Sequence, residues 1–339
     1  MFARHMVPLA AGEIGTYGPY RVIFTSLVAF ALPLFCAEVV GAAEKQADAE
    51  KEKEIPPPQE LDLETNDGLL LRATYFPGTR GKESVPVILL HMWKGNSSEY
   101  SDLAVNLQAQ GHAVLVPDLR GHGKSTRFKD ASRRELDAAK MPPQEFGNMV
   151  LFDMKRLKDF LWEKNNDKEL NIDKLCVVGA EMGASVALQF ALYDANAYDW
   201  DRVFYGNLKV GQFVKALVLI SPEWSFRGLQ LRNAAAHPVV RSKLSVMIVV
   251  GKGKSRAVDE ARRLHLMFKR YHPDPPPEKK ADEQDLFYGR LDTTLQGTKI
   301  LGAKGLNLDK YIAQFIYRRL VASREAETFA WQERKVPYR

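Results

Sequence analysis

The amino-acid sequence predicts an α/β protein built on a doubly wound, mostly parallel β-sheet. Segments with helical spacing, such as the apolar stripe of Val150, Met154, Leu157 and Leu161, alternate with short strand-like runs. Such alternation is typical of a layered α/β fold. The runs are apolar on both faces, as strands are when helices cover both sides of a parallel sheet, and they span residues 85–92, 113–117, 175–178, 216–220 and 246–250.

A β-hairpin is predicted to lead into the sheet, because residues 61–65 and 69–76 flank Asn66-Asp67-Gly68, a strong turn signal. Toward the C-terminus, a helix of small residues is expected over 184–192. Residues 194–214, rich in Tyr, Asp and Asn, indicate an insertion or extended loop. A last strand is predicted within 293–301. The spacing of Ile312, Phe315, Ile316 and Leu320 then predicts a closing amphipathic helix.

The chain divides into four parts. Residues 1–43 have the form of an export signal, since Arg21 precedes an apolar run at 22–35 and Gly41-Ala42-Ala43 suits cleavage; an uncleaved membrane anchor is the alternative. Residues 44–58 are charged and end in three prolines, which predicts a disordered spacer. Residues 59–322 form the α/β domain, and 323–339 form a tail. We expect a periplasmic or secreted protein, or one anchored by residues 22–35.

Composition narrows the classes of partner. The net charge is +6, but basic residues are interspersed with acids and form no stripe with aromatic residues, so no nucleic-acid partner is expected. No His, Cys, Asp and Glu cluster has metal-ligand spacing, and neither a metal nor a cofactor is expected. The two cysteines, Cys36 and Cys176, make no disulfide framework. The expected partner is an unidentified small molecule or an envelope protein, with membrane contact only through an uncleaved N-terminal segment.

Three motifs follow predicted strands in order. Residues 87–91 read VILLH and precede Gly95, residues 118–125 read DLRGHGKS, and residues 179–183 read GAEMG before a small-residue helix. On these motifs the chain resembles the α/β-hydrolase superfamily over residues 60–322, particularly its serine-aminopeptidase-like and esterase-like bacterial members. The resemblance implies the α/β-hydrolase fold, with residues 179–183 as the nucleophile elbow.

The resemblance also implies a catalytic triad, in the order nucleophile, acid, histidine. Glu181 stands where the nucleophilic serine is expected. Residues 251–255, GKGKS, follow the strand that usually precedes the acid, and no histidine occurs after His272. The triad is therefore missing, although the resemblance still implies an oxyanion-like loop at His91, Met92, Trp93 and Met182.

A missing triad favours an exported, non-catalytic protein of this fold, a pseudoenzyme acting as a binding or structural module. In this interpretation Lys254 or Lys304 is predicted to form an ion pair with Glu181, and a solvated Glu181 without a fixed partner is the alternative. The competing hypothesis is an active hydrolase of ester or amide bonds. Its atypical site would centre on Glu181 and draw on further candidates, which are Glu223, His91 and His122.

Overall fold

The computed structural model describes residues 55–133, 135–205 and 209–334, and it contains an eight-stranded sheet. The strand order in the sheet is β1-β2-β4-β3-β5-β6-β9-β10, and a separate two-stranded hairpin is formed by β7 and β8. The strands are β1 Gln59–Glu64, β2 Leu70–Phe76, β3 Pro86–Leu90, β4 Ala113–Pro117, β5 Leu175–Ala180, β6 Val214–Ile220, β7 Ser225–Phe226, β8 Leu229–Gln230, β9 Ser245–Gly251 and β10 Leu286–Leu291.

The sheet confirms the predicted fold class. Strands β4, β3, β5, β6, β9 and β10 are parallel to one another, while β2 is antiparallel to β1 and to β4. The predicted hairpin is the β1–β2 pair, in which Leu63 lies opposite Leu71. Every residue of β3, β5 and β9 is buried, because helices cover both faces of these central strands.

Helices pack in two layers. On one face of the sheet, Leu103 and Phe315 belong to a hydrophobic core that includes side chains of β3 and β5. On the other face, Phe146, Leu157 and Leu264 belong to a larger hydrophobic core. A π-helical segment, Met149–Met154, joins α2 and α3. The α-helices are α1 Ser101–Ala109, α2 Pro143–Asn148, α3 Lys155–Asn166, α4 Met182–Tyr205, α5 Leu231–Ala236, α6 Pro238–Lys243, α7 Ser255–Lys269, α8 Lys280–Glu283, α9 Leu308–Tyr317 and α10 Arg324–Glu327.

Two sequence predictions about elements are wrong. The last strand is Leu286–Leu291, and residues 297–300, predicted within a strand, form a 3₁₀ turn. This edge strand has only β9 as a neighbour and contains Gly289 and Arg290, so its apolar signal is weak. The helix after the elbow also continues to Tyr205, through residues predicted to lie in a loop. The predictions for residues 1–54 lie outside the described residues.

The motif at residues 118–125 forms the turn that follows β4, an interior strand of the sheet. Arg120 is fully buried and donates to Asp153 at 2.7 Å, to Glu145 at 2.6 Å and to Asp67 at 2.9 Å. Burial raises the pKa of Asp153 to about 6, although Arg120 acts in the opposite direction. One guanidinium therefore holds together three carboxylates from separate parts of the chain.

The described part of the predicted tail lies against the domain. The indole of Trp331 donates to the carbonyl of Asn165 at 3.1 Å, and the Asn165 amide donates to the carbonyl of Gln332 at 3.0 Å. Among the described helices, none combines the length and apolar character needed to cross a bilayer. The boundaries of the four predicted parts stay predictions.

Candidate active site

The backbone of the nucleophile elbow is retained at the junction of β5 and α4. Glu181 has a left-handed backbone, with φ of +48°, and its N–H donates to the carbonyl of Ile220 at 2.9 Å. A Cβ on Gly183 would lie 2.7 Å from the carbonyl oxygen of His91 and nearer still to that of Leu90. A Cβ on Gly179 would lie 2.6 Å from the nitrogen of Ala184. The two glycines therefore allow the tight strand–turn–helix that presents residue 181.

Glu181 lies beside the loop after β10, where the resemblance to α/β-hydrolases implies the catalytic histidine. The loop after β10 passes beside it, so that a Cβ on Gly297 would lie 3.1 Å from Cγ and Cδ of Glu181 and 3.0 Å from Sδ of Met92. The half-buried carboxylate makes no hydrogen bond within the described residues. Burial raises its pKa, and Lys254 and Lys299 act in the opposite direction. The residue of this loop that lies next to Glu181 is therefore Gly297, which has no side chain.

The predicted ion pair at the elbow is not formed. Within the described residues no Lys, Arg or His nitrogen lies within 4.0 Å of the Glu181 carboxylate. Lys254 acts on Glu181 only through a longer electrostatic interaction, and Lys299 is the second cation. Lys304 instead lines a surface groove beside α1. The 3₁₀ turn at residues 297–300 places Lys299 where its charge acts on Glu181, whereas Lys304 follows the turn and lies in the groove.

Two further carboxylates interact with Glu181. Glu223, a sequence candidate, follows β6, and its pKa is raised by burial and then by the charge of Glu181. Glu99 was missed by sequence reasoning, and its pKa is raised by burial and by Glu181 in the same way. The Glu99 carboxylate accepts a hydrogen bond from the hydroxyl of Thr298 at 2.9 Å and is also stabilised by the backbone N–H of Met92.

Gly95 is the feature of the sequence that indicates the position of Glu99. Gly95, a family motif position, leaves room for this side chain, since a Cβ there would lie 2.5 Å from Oε1 of Glu99. A glutamate four residues after that glycine therefore belongs to the loop that follows β3. The carboxyl ends of parallel strands meet at one edge of the sheet, which is how Glu99, Glu181 and Glu223 come together.

The two histidine candidates, His91 and His122, are buried side by side, and Nε2 of His122 has no hydrogen-bond partner within the described residues. Nδ1–H of His91 donates to the carbonyl of Met92 at 2.7 Å, and Nε2 accepts from the N–H of Leu119 at 2.9 Å. Both ring nitrogens are thus engaged with backbone, and burial lowers the pKa of His91 to about 4.

The ring of His122 packs on the ring of His91 with the two centroids 5.0 Å apart, and Nδ1 of His122 lies 3.0 Å from the carbonyl of Arg120. Neither ring hydrogen-bonds to Glu181.

Bulky side chains fill the oxyanion-like loop. Met182 is fully buried, and Met92 contacts the Gly297 corner. Trp93 packs against Phe226 of the β7–β8 hairpin with centroids 5.9 Å apart, and Phe226 packs on Phe146 at 5.4 Å. Aromatic contacts therefore join the loop after β3, the β7–β8 hairpin and α2.

Two surface grooves are present near this edge of the sheet. One of about 510 Å³ lies between α1 and residues 301–307 and includes Glu99, and one of about 360 Å³ lies between Arg72 and Lys124. Glu181 lines neither groove. Residues 55–133, 135–205 and 209–334 contain no group of three His, Cys, Asp or Glu arranged to hold a metal ion.

Replacing Glu181 by glutamine is expected to stabilise the protein at pH 7. The pKa of Glu181 is raised in the folded state, so its favourable contribution is present below about pH 4.5 and is lost as pH rises through the folded pKa. Glutamine removes the charge and the repulsion of Glu99 and Glu223. The gain is up to about 1 kcal/mol, because water partly screens a half-buried carboxylate, or roughly 2–4 °C in melting temperature.

Thermal melts at pH 7 and pH 4 measure this effect. The exposed Glu327 offers a matched control, since Glu327→Gln removes one carboxylate far from the elbow and should leave the melting temperature unchanged. A Glu181→Gln gain as large at pH 4 as at pH 7, or a loss at pH 7, would contradict the assigned charge repulsion.

The sequence of this chain is similar to a family model and to two proteins of known sequence. A family model described as alpha/beta hydrolase fold matches residues 85–239. Two uncharacterized proteins of Mycobacterium tuberculosis are each 36% identical over 69 residues, a match that covers 20% of this chain and 25% of each relative.

Solved structures are similar over most of the chain. An esterase of Pyrobaculum calidifontis has 14% identity and a TM-score of 0.50, covering 83% of this chain and 91% of its own. A thermostable carboxylesterase cloned from a metagenomic library has 13% identity and a TM-score of 0.50, covering 84% and 98%. At such identities the similarity concerns the fold alone. The family-model match, the order of the sheet and the retained elbow together establish that this chain has the α/β-hydrolase fold, and they support its place in that superfamily.

Proposed function

We propose that this protein is a non-catalytic member of the α/β-hydrolase superfamily that acts as a binding module. One observation carries the proposal: the loop after β10, where the fold places the catalytic histidine, presents Gly297 to Glu181. Acyl transfer needs a nucleophile, a base to activate it and a group to orient that base. At this elbow the nucleophile is replaced by a carboxylate, and no base contacts it within the described residues.

The electrostatics of the site support the same proposal. Hydrolysis of an ester builds negative charge on the substrate oxygen, and the fold stabilises that charge with backbone N–H groups near β3 and the elbow. Here the Glu99 carboxylate interacts with the backbone N–H of Met92, and Glu181 and Glu223 add further negative charge. A developing oxyanion would meet repulsion from three carboxylates in place of stabilisation.

The alternative function is an atypical hydrolase centred on Glu181. The observation in its favour is that burial raises the pKa of both Glu181 and Glu223, which brings carboxyl groups closer to the range of a general acid. Against it, both ring nitrogens of His91 are already engaged with backbone groups. Nε2 of His122 is unpaired, but neither His122 nor His91 hydrogen-bonds to Glu181, so within the described residues no histidine is positioned at the elbow to activate the water that would release a Glu181 ester.

Steady-state hydrolysis distinguishes the two functions. The full chain is assayed with short-chain and long-chain p-nitrophenyl esters and with aminoacyl anilides, beside Glu181→Gln and the distant control Glu327→Gln. We expect the three proteins to give the same background rate and a fluorophosphonate probe to leave the parent unlabelled. Turnover by the parent and by Glu327→Gln that Glu181→Gln abolishes would overturn the non-catalytic proposal in favour of the Glu181-centred hydrolase.

Export and an envelope partner belong to the same proposal. The export signal in residues 1–43 would deliver the chain to the periplasm or the exterior, or residues 22–35 would anchor it. The binding partner would be a small molecule or an envelope protein. Sequencing the N-terminus of the chain recovered from periplasmic and membrane fractions of a bacterial host tests this part. An N-terminus near Glu44 in the periplasm is expected after cleavage and Met1 in the membrane for an anchored chain, whereas recovery from the cytoplasm alone would contradict export.

A further inference from the structure

Three hydrogen-bond donors lie together where the loop after β3 meets the β7–β8 hairpin. They are the indole Nε1 of Trp93, the ammonium of Lys94 and the guanidinium of Arg227, and we call them the donor cluster. Nζ of Lys94 lies 4.6 Å from the centroid of the Trp93 ring, and Cζ of Arg227 lies 4.9 Å from it. Both cations are therefore held at one aromatic side chain.

The donor cluster lacks acceptors. Nε1 of Trp93 is buried and has no hydrogen-bond partner within the described residues. Lys94 and Arg227 are exposed and form no ion pair with a described carboxylate. The cations that act on the carboxylates of Glu99, Glu181 and Glu223 are Lys254, Arg256 and Lys299, none of which belongs to the donor cluster. A buried polar group without a partner requires an explanation, and a missing ligand is one.

The backbone holds both cations in an unfavourable conformation. Lys94 has φ of +62° and Arg227 has φ of +41°, in the left-handed region that side chains with a Cβ rarely adopt. Arg227 and Gly228 form the turn of the β7–β8 hairpin, where asparagine or glycine is the favoured residue. Such strain costs about 1–3 kcal/mol per residue and is concentrated at functional sites. Here both residues lie at the same indole.

We propose that the donor cluster binds an anionic group, a carboxylate or a phosphate, of the ligand of this protein. Three donors and no acceptor select an anion, because a neutral hydroxyl or an amine would leave donors unpaired. Lys94 and Arg227 are exposed, so an anion reaches both cations from solvent, and it reaches the buried Nε1 when the groups that cover this atom move aside. The neighbouring rings of Phe226 and Phe146 suit an aromatic or apolar portion attached to it.

This inference names the class of ligand for the proposed binding function. It rests on that function because it assumes that the bound ligand is not hydrolysed. Its test is calorimetric binding of phenyl phosphate and of benzoate to the full chain, which is independent of ester hydrolysis. We expect binding in the millimolar range or tighter, weakened roughly tenfold by Arg227→Gln and by Lys94→Gln, since each removes a charge-assisted hydrogen bond. Trp93→Phe keeps a ring but removes Nε1–H and should weaken binding roughly threefold to fivefold.

Matched controls are available on the following helices. Arg232 and Lys243 are exposed cations of α5 and α6, and Arg232→Gln and Lys243→Gln should leave the affinity unchanged. Tighter binding of phenyl phosphate identifies a phosphate ligand, and tighter binding of benzoate identifies a carboxylate ligand. The proposal is overturned if neither anion binds, if benzyl alcohol binds as well as the anions, or if the donor-cluster variants bind like the controls.

Discussion

Replacement of Arg120 by methionine is expected to lower the free energy of unfolding by about 3–5 kcal/mol, the usual cost of removing one partner from a buried ion pair. Arg120 is fully buried and is the shared cation for Asp67, Glu145 and Asp153. Methionine fills similar space but leaves the buried Asp153 without a counter-charge. For a domain of this size the loss corresponds to roughly 10 °C in melting temperature.

The loss should depend on pH. In the native protein burial already raises the pKa of Asp153 to about 6 against the opposing effect of Arg120. Without the guanidinium this pKa rises further above its unfolded value, so stability falls as pH rises through it. Below that pKa Asp153 is protonated and neutral. We therefore expect the deficit of Arg120→Met to be larger at pH 7.5 than at pH 5.

Urea denaturation at the two pH values measures both effects. Arg127 provides the control from the same loop, since its ion pair with Glu135 is solvent-exposed and Arg127→Met should cost less than about 1 kcal/mol. Arg120→Met combined with Asp153→Leu should recover part of the loss by removing the unpaired charge. Equal deficits for the Arg120 and Arg127 variants would show that the network does not stabilise the fold.

Much of the fold follows from local patterns in the chain. Strands such as β3 and β5 are apolar on both faces, and the Asn66-Asp67-Gly68 turn joins two alternating segments, so burial alone specifies them. The edge strand β10 has one neighbour and a mixed composition, and that pattern is not distinctive. Residues 193–205 continue α4 despite their polar composition, because tertiary context overrides weak propensity.

The candidate site was predictable where a motif defines it. Glu181 lies at the elbow between Gly179 and Gly183, where a Cβ would clash with backbone atoms, and the absence of a later histidine is evident from the sequence. The neighbours of Glu181 depend on loop paths instead. Lys299 replaces Lys304 because residues 297–300 coil into a 3₁₀ turn, and Glu99 approaches Glu181 because the loop after β3 folds back. Long-range packing of that kind leaves no periodic signal.

Replacement of Gly183 by alanine is expected to destabilise the fold by about 3 kcal/mol or more, in the range of severe overpacking. The added Cβ would lie 2.7 Å from the carbonyl oxygen of His91 and nearer to that of Leu90. Both oxygens belong to the backbone at the end of β3, so no side chain can move aside to make room. The start of α4 would have to move away from β3, and the elbow that presents Glu181 would open.

Gly147→Ala is the control that shows whether close packing causes the effect of Gly183→Ala. It lies within α2, and a Cβ added there would have no atom within 4 Å, so Gly147→Ala should stabilise the helix by about 0.5–1 kcal/mol. Thermal melts of the two variants should therefore move in opposite directions from the parent. If Gly183→Ala melted at or above the parent temperature, α4 would not depend on the contact with β3. The elbow would then be held by the sheet and its loops alone, and its retention in a chain without the triad would need another cause.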